Sequence, residues 1–197
     1  MKRILSFILL FTLASAVSFA QHSDLKAYGL KGKVKRISTS DREGVAFDKN
    51  GKIFSIRIPS ILAGGGSVYG KKINHKNNRI SSVSYPGEWE GAIGTTVTYK
   101  YNTAGYLAST ELSGHEWWNN YYYSNYKNGL PYTVKLDVGG EAHSEEGTCK
   151  ITYTKFDSHG NWTQCRWDGT LRITDDGGDT YHNEKYSHTI KREIFYY

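Results

Sequence analysis

A short pattern recurs along the 197-residue chain and constrains its fold more than any other sequence feature. It starts with an aromatic residue and Asp or Asn, continues with two mostly polar residues and Gly, and ends with any residue and a large apolar one. Full copies occupy residues 47–53 (FDKNGKI), 101–107 (YNTAGYL) and 156–162 (FDSHGNW), and looser copies occupy residues 74–80 (NHKNNRI) and 126–130 (YKNGL). We interpret each copy as the turn of a β-hairpin.

The chemistry of the turn explains the pattern. Asp or Asn opens a turn by a hydrogen bond from its side chain to the backbone two residues on. Gly, or Asn as the next most tolerant residue, supplies the positive φ that ends the turn. The predicted structural turn residues are Gly51, Asn78, Gly105, Gly129 and Gly160.

The same geometry predicts cross-strand partners. Residues i and i+6 of a full copy face each other across the hairpin, and each such apolar pair contributes roughly 0.2–1 kcal/mol. The predicted pairs are Phe47 with Ile53, Tyr101 with Leu107, and Phe156 with Trp162.

The first twenty residues are typical of a secretory signal peptide. Lys2 and Arg3 precede an apolar run over residues 4–13, and Ser18 and Ala20 place small residues before a cleavage site at Gln21. The apolar run is too short to span a bilayer comfortably, and no later run is apolar for long enough to span as a helix, so we expect no membrane span after cleavage. The mature protein is expected to be periplasmic or secreted, with residues 21–197 forming a single domain.

The remaining composition favours an all-β protein. Gly is abundant at 21 residues, Tyr numbers 16, Pro only 3, and alternating β-branched and aromatic runs follow each turn. The turn residues recur at intervals of 24 to 31 residues, which indicates repeated hairpins that must pack against one another. We predict one large twisted antiparallel sheet, curled into an open barrel or paired as a sandwich. The segments 86–94, 113–120, 139–147 and 175–179 are expected to be loops between hairpins.

The turn pattern resembles a known repeat. Residues 99–107 (YKYNTAGYL) are similar to the tyrosine–aspartate (YD) repeat of Rhs-type proteins, and residues 47–51 and 156–160 keep its second half. The resemblance implies a long antiparallel sheet that winds or curls. Rhs proteins use shorter, more uniform repeats and build very large shells that carry a toxin module, so those roles do not transfer to a chain of this length.

The two cysteines lie in an expected oxidising compartment, which favours a disulfide. Their register opposes a direct bond, because pairing Phe156 with Trp162 places Cys165 opposite Tyr153 rather than Cys149. The resulting offset of roughly 13 Å exceeds the reach of a disulfide unless a bulge or another register intervenes. Packing of both cysteines on one sheet face is the alternative.

No sequence pattern indicates a cofactor or a metal site. The seven histidines match no zinc spacing, and no nucleophile elbow, phosphate-binding loop or metalloprotease helix is present. The formal charge falls from +6 to +4 without Lys2 and Arg3, which is too modest to suggest nucleic-acid binding.

Aromatic residues supply the candidate binding site. Flat rings beside amide and hydroxyl groups suit a glycan or an extended peptide of a protein partner. The candidate ligand-binding residues are Trp89, Trp117, Trp118, Tyr121 and Tyr123. The alternative is that alternate rings of the run 117–123 pack in the core while the others cover a sheet face.

The sequence therefore leads to a favoured hypothesis of a secreted non-enzymatic binding or structural module of the bacterial cell envelope, with an unknown ligand. The alternative is an envelope hydrolase that acts on glycans through a pair of loop carboxylates. A third hypothesis, an immunity-like protein against a secreted toxin, depends only on the family resemblance. The carboxylates considered for hydrolysis are Glu88, Glu90, Glu111, Glu116, Asp137, Glu141, Glu145 and Glu146.

Overall fold

The computed structural model describes residues 23–41, 43–59, 67–85, 94–114, 117–175 and 180–197. The predicted signal peptide and the residues Trp89, Glu88, Glu90 and Glu116 lie outside these ranges. The described residues form a four-residue helix and thirteen strands: α1 Asp24–Ala27, β1 Val34–Thr39, β2 Gly44–Phe47, β3 Ile53–Pro59, β4 Ser67–Tyr69, β5 Lys72–Lys76, β6 Arg79–Ser84, β7 Thr96–Tyr101, β8 Leu107–Ser113, β9 Trp117–Lys127, β10 Leu130–Gly140, β11 His143–Phe156, β12 Trp162–Asp175 and β13 Thr180–Tyr196.

All thirteen strands belong to one sheet in the order β4-β3-β2-β1-β13-β12-β11-β10-β9-β8-β7-β6-β5. Every pairing is antiparallel, and consecutive strands are paired except β4 and β5, while β13 pairs with β1. Within the described ranges no ladder joins the edge strands β4 and β5, so the sheet is not closed into a barrel. The prediction of an all-β fold with one large open antiparallel sheet is confirmed.

The sheet curls until its two ends meet across a shared core. The Gly70 amide donates to the Ile56 carbonyl of β3 at 2.9 Å, and the Lys71 amide donates to the Ser84 carbonyl of β6 at 2.8 Å. The first core cluster joins buried residues of β1–β3 to those of β6–β8: Val34, Ile37, Val45, Phe47, Ile53, Ile56, Ile80, Val83, Val97, Tyr99 and Leu112. Burial of both ends against each other holds the curl.

The five turns lie together at one end of the curled sheet. All five predicted turn residues have a positive φ: 80° for Gly51, 58° for Asn78, 90° for Gly105, 83° for Gly129 and 75° for Gly160. Phe47 lies opposite Ile53, Tyr101 opposite Leu107, and Phe156 opposite Trp162.

The looser copies close differently from the full ones. In each, two residues with positive φ, Asn77–Asn78 or Asn128–Gly129, make the whole turn. Lys76 then pairs with Arg79, and Lys127 with Leu130. Two consecutive positive φ angles match the type I′ turn, which suits the twist of a hairpin.

The N-terminal segment, residues 23–33, runs across this turn end and covers it. Ser23 caps α1 by accepting a hydrogen bond from the Lys26 amide at 3.2 Å. The segment then touches all five turns in succession, through the pairs Asp24–Ile53, Asp24–Ile80, Lys26–Tyr106, Gly29–Gly129 and Lys31–Asn161.

Two of the expected loops, residues 113–120 and 139–147, consist largely of strand residues where the structure describes them. β9 begins at Trp117, so Trp117 and Trp118 are strand residues, and β10 and β11 extend to Gly140 and from His143. Strands β9–β13 have 11 to 17 residues, whereas β1–β8 have three to seven. The expectation failed because continued pairing across long neighbouring strands satisfies the backbone groups of residues whose side chains suggest loops.

Both cysteines are free and buried. Cys165 lies opposite Tyr153, as the turn register predicts, and Cys149 lies opposite Gly169. They belong to the second core cluster, together with Val134, Leu136, Ile151 and Leu171. Packing of two small residues in one core, rather than a disulfide, is therefore what the fold contains.

Candidate ligand-binding cavity

The curled sheet encloses a cavity of about 430 Å³. Strands β1–β3 and β7–β13 contribute to its wall, and Ala27 and Tyr28 of the N-terminal segment contribute at the turn end. The wall is mostly apolar and aromatic, with a few polar side chains directed inward. This size and this composition are typical of sites that hold a small organic molecule.

Strand alternation decides which side chains reach the cavity. On β9, Asn119, Tyr121 and Tyr123 line it, whereas Tyr122 between them is 37% exposed on the outer face. The ring of Tyr121 meets that of Trp167 edge to face, with the centroids 6.0 Å apart. The aromatic lining is completed by Tyr99, Tyr126, Tyr153, Trp162 and Tyr186.

A polar group lies at the end of the cavity formed by the β1–β2 turn. The carboxylate of Asp41 and Nε2 of His188 are 3.0 Å apart. Their side chains are 35% and 41% exposed, so solvent reaches this end of the cavity. The opposite end is covered by the N-terminal segment.

Glu43 lies beside this pair and also lines the cavity. Its side chain is exposed to solvent but protein surrounds the site, and this desolvation, with a smaller contribution from Asp41, raises the pKa of Glu43 to about 7. Glu43 thus changes charge near neutral pH at the solvent-exposed end of the cavity.

Arg192 is a buried cationic side chain of the cavity wall, on β13 opposite Thr39. It is 6% exposed, and its Nε donates to the carbonyl of Trp162, the first residue of β12. Its guanidinium lies 3.7 Å from the centroid of the Trp162 ring. Burial lowers the pKa of Arg192 to about 10, so the side chain stays charged at neutral pH.

The structure separates the residues that the sequence grouped as a binding site. Tyr121 and Tyr123 line the cavity, and Trp117 packs against the first core cluster. Trp118 points to the outer face, where its Nε1 donates to Asp137 at 2.6 Å. Successive strand residues face opposite ways, so Trp117 and Trp118 cannot form one platform.

Of the carboxylates considered for hydrolysis, those within the described residues do not line the cavity. Glu111 accepts from Lys100 at 2.7 Å, and Glu146 pairs with Lys135 at 2.7 Å, both on the outer face. Asp137 accepts a hydrogen bond from Trp118, and Glu145 contacts His143 at 3.2 Å. Within the described residues, no group of three or more His, Cys, Asp or Glu side chains is placed to hold a metal ion.

Sequence reasoning missed Asp41, Glu43, His188 and Arg192 as lining residues. A signal for Arg192 existed, because it lies between Ile190 and Ile194 at the two-residue period of a buried strand face. No comparable signal marks Asp41 or Glu43, which occupy a short polar turn like many on protein surfaces.

Comparisons with known proteins add little. No family model matches the chain, and no curated protein matches it. Among solved structures the chain is similar to a porin-like protein from Bacteroides uniformis, with a TM-score of 0.38 and 13% identity over 84% of this chain and 98% of that one. Such a likeness carries no argument about function. Within the described ranges no helix is long and apolar enough to cross a membrane.

Proposed function

We propose that the protein is a secreted, non-enzymatic binding protein of the bacterial cell envelope that holds a small, largely apolar molecule in its interior cavity. The observation that carries the proposal is the cavity of about 430 Å³ with aromatic walls, one covered end and one solvent-exposed end. A protein with a purely structural role would gain stability from filling that volume with side chains, because protein interiors normally pack densely.

Binding of N-phenyl-1-naphthylamine, a neutral aromatic dye whose fluorescence rises in apolar sites, tests the proposal. We expect saturable binding of one dye per chain, with energy transfer from Trp162 and Trp167, which both line the cavity. Asn119→Trp should weaken dye binding, because the larger side chain takes up part of the cavity from its wall. Asn120→Trp, one residue along β9 on the opposite face, should leave binding unchanged.

The paired variants separate interior binding from adsorption to the surface. Equal binding by wild type and Asn119→Trp, with both proteins folded by circular dichroism, would contradict the proposal. Absence of dye binding to the wild type would contradict it as well.

A glycan hydrolase remains the second candidate, through residues other than the loop carboxylates. Asp41 and Glu43 line one cavity, and the pKa of Glu43 near 7 suits a general acid. Release of reducing ends from cell-wall glycan by the wild type, lost in Glu43→Gln and kept in the outer-face variant Glu193→Gln, would support hydrolysis. No release by the wild type would remove this candidate.

A further inference from the structure

The guanidinium of Arg192 is a buried positive charge with an unused donor. The residue is 6% exposed and lines the cavity. Its Nε is bonded to the Trp162 carbonyl, but its Nη2 has no hydrogen-bond partner among the described residues. A buried donor left without a partner costs about 1–3 kcal/mol, and more when it carries charge.

The neighbours of Arg192 do not neutralise it by direct pairing. The ionisable groups that favour the charged form of Arg192 are Cys165, Tyr153, Asp157 and Tyr196. No carboxylate of the described residues forms an ion pair with Arg192. The Tyr153 hydroxyl already donates to the Pro131 carbonyl at 2.7 Å.

The carboxylate of Asp157 is likewise already hydrogen-bonded, mainly within its own turn. Its carboxylate accepts from the amides of His159 and Asn161, both at 2.9 Å, and from the Tyr196 hydroxyl. The acidic residues Asp41 and Glu43 also line the cavity, and Asp41 is bonded to His188. Arg192 therefore keeps a buried charge that no carboxylate of the described residues pairs with directly.

We propose that Arg192 anchors an anionic group, a carboxylate or sulfonate, carried by an apolar or aromatic ligand of the cavity. The anion would accept from Nη2, and the apolar body would lie along Trp162, Ile151 and Ile190, which line the same cavity. Arginine suits this role because its fixed planar donors match the oxygens of such an anion. This inference rests on the proposed binding function and specifies the class of ligand.

Two matched probes test the inference on the wild-type protein. 8-Anilinonaphthalene-1-sulfonate adds one sulfonate to the aromatic body of N-phenyl-1-naphthylamine. We expect the sulfonate to bind at least about 10-fold more tightly than the neutral dye, because a hydrogen bond to a charged group contributes about 1.5–3 kcal/mol. Decanoate should likewise displace the neutral dye at lower concentration than 1-decanol.

Variants then assign the preference to one residue. Arg192→Met should weaken binding of the sulfonate about 10- to 100-fold and change binding of the neutral dye by less than about threefold. Arg192→Lys should keep part of the preference, since it retains the charge without the planar donors. Arg36→Met is the matched control, because Arg36 also stacks on an aromatic ring, Phe195 at 4.2 Å, but lies exposed on the outer face.

The outcomes separate the two proposals. Binding of the neutral dye without preference for sulfonate or decanoate would overturn the role of Arg192 and leave the binding cavity standing. A preference kept in Arg192→Met would overturn that role too. If Arg192→Met fails to fold, the comparison of decanoate with 1-decanol on the wild type still tests whether the cavity prefers an anionic ligand.

Discussion

The Ile80 amide donates a 2.7 Å hydrogen bond to the carboxylate of Asp24, although 56 residues separate the two in the chain. The same carboxylate accepts from the Ile53 amide at 2.7 Å, and its side chain is fully buried. One acidic residue of the N-terminal segment thus satisfies an amide at the start of each of two hairpin strands and holds the segment over the turn end.

Removing the Asp24 carboxylate should destabilise the folded protein strongly. We expect Asp24→Ala to lower the free energy of unfolding by about 3 kcal/mol or more, since two buried amides lose their acceptor. Asp48→Ala is the control: Asp48 also accepts from two amides, of Asn50 at 2.8 Å and Lys52 at 3.0 Å, but where water can replace it. Urea unfolding should show a loss of about 1 kcal/mol for the control. Equal losses would contradict the proposed role of Asp24.

Replacing Gly51 or Gly160 by alanine should lower the free energy of unfolding by different amounts, although both glycines have a positive φ. A Cβ on Gly51 would lie 2.6 Å from Cδ1 of Leu25 in the N-terminal segment, whereas a Cβ on Gly160 would meet only the flexible side chain of Lys31, no closer than 3.2 Å. Gly160→Ala should cost about 1–2 kcal/mol from backbone strain alone. Gly51→Ala should cost at least about 1 kcal/mol more because the packing must shift. Thermal and urea unfolding would reveal the difference, and indistinguishable stabilities would count against the docked segment.

The raised pKa of Glu43 predicts a pH dependence of stability. Between its ordinary pKa of 4.5 and about 7, the folded protein binds this proton more readily than the unfolded chain. Stability from Glu43 is therefore present below pH 4.5 and is lost as the pH rises through 7.

The corresponding variant isolates this effect. Glu43→Gln should match the wild type near pH 4.5 and be the more stable protein at pH 8, while Glu193→Gln on the outer face should show no such crossover. Differences in urea midpoint across this pH range measure it. A wild type as stable as Glu43→Gln at pH 8 would show that Glu43 is not desolvated.

The cysteines should remain reduced and unreactive in the folded protein. Cys149 is 0% exposed and Cys165 is 1% exposed, and burial raises the pKa of Cys165 to about 11. At pH 8 only about a thousandth of that thiol is thiolate, the reactive form. A dithionitrobenzoate assay without reductant should detect two thiols after denaturation and almost none before. Detection of none in denaturant would demonstrate a disulfide.

Much of the local structure followed from sequence. The positive φ at Gly105 and the pairing of Tyr101 with Leu107 depend on interactions within seven residues, which the turn pattern specifies directly. The opposition of Cys165 and Tyr153 followed from that register. These features are local, so their chemistry can be read from adjacent residues.

The candidate site was harder to predict, because its residues come from distant strands. The ring of Tyr121 makes it a candidate from sequence, but its place in the cavity depends on which face of β9 turns inward. Trp118 has an equally suitable ring and points outward. From sequence, a carboxylate such as Asp24 is expected at the surface, and only the fold shows that buried amides surround it.

The turn pattern by itself therefore determined that the chain forms hairpins and where each one reverses. Only the tertiary structure decided that β13 pairs with β1, that the N-terminal segment covers the turn end, and that Arg192 is enclosed without a carboxylate partner among the described residues. Turn geometry is set by backbone sterics and hydrogen bonds over a few residues. The curl and its cavity instead depend on the summed burial of side chains far apart in the chain, such as Tyr197, whose hydroxyl donates to the Phe47 carbonyl across 150 residues.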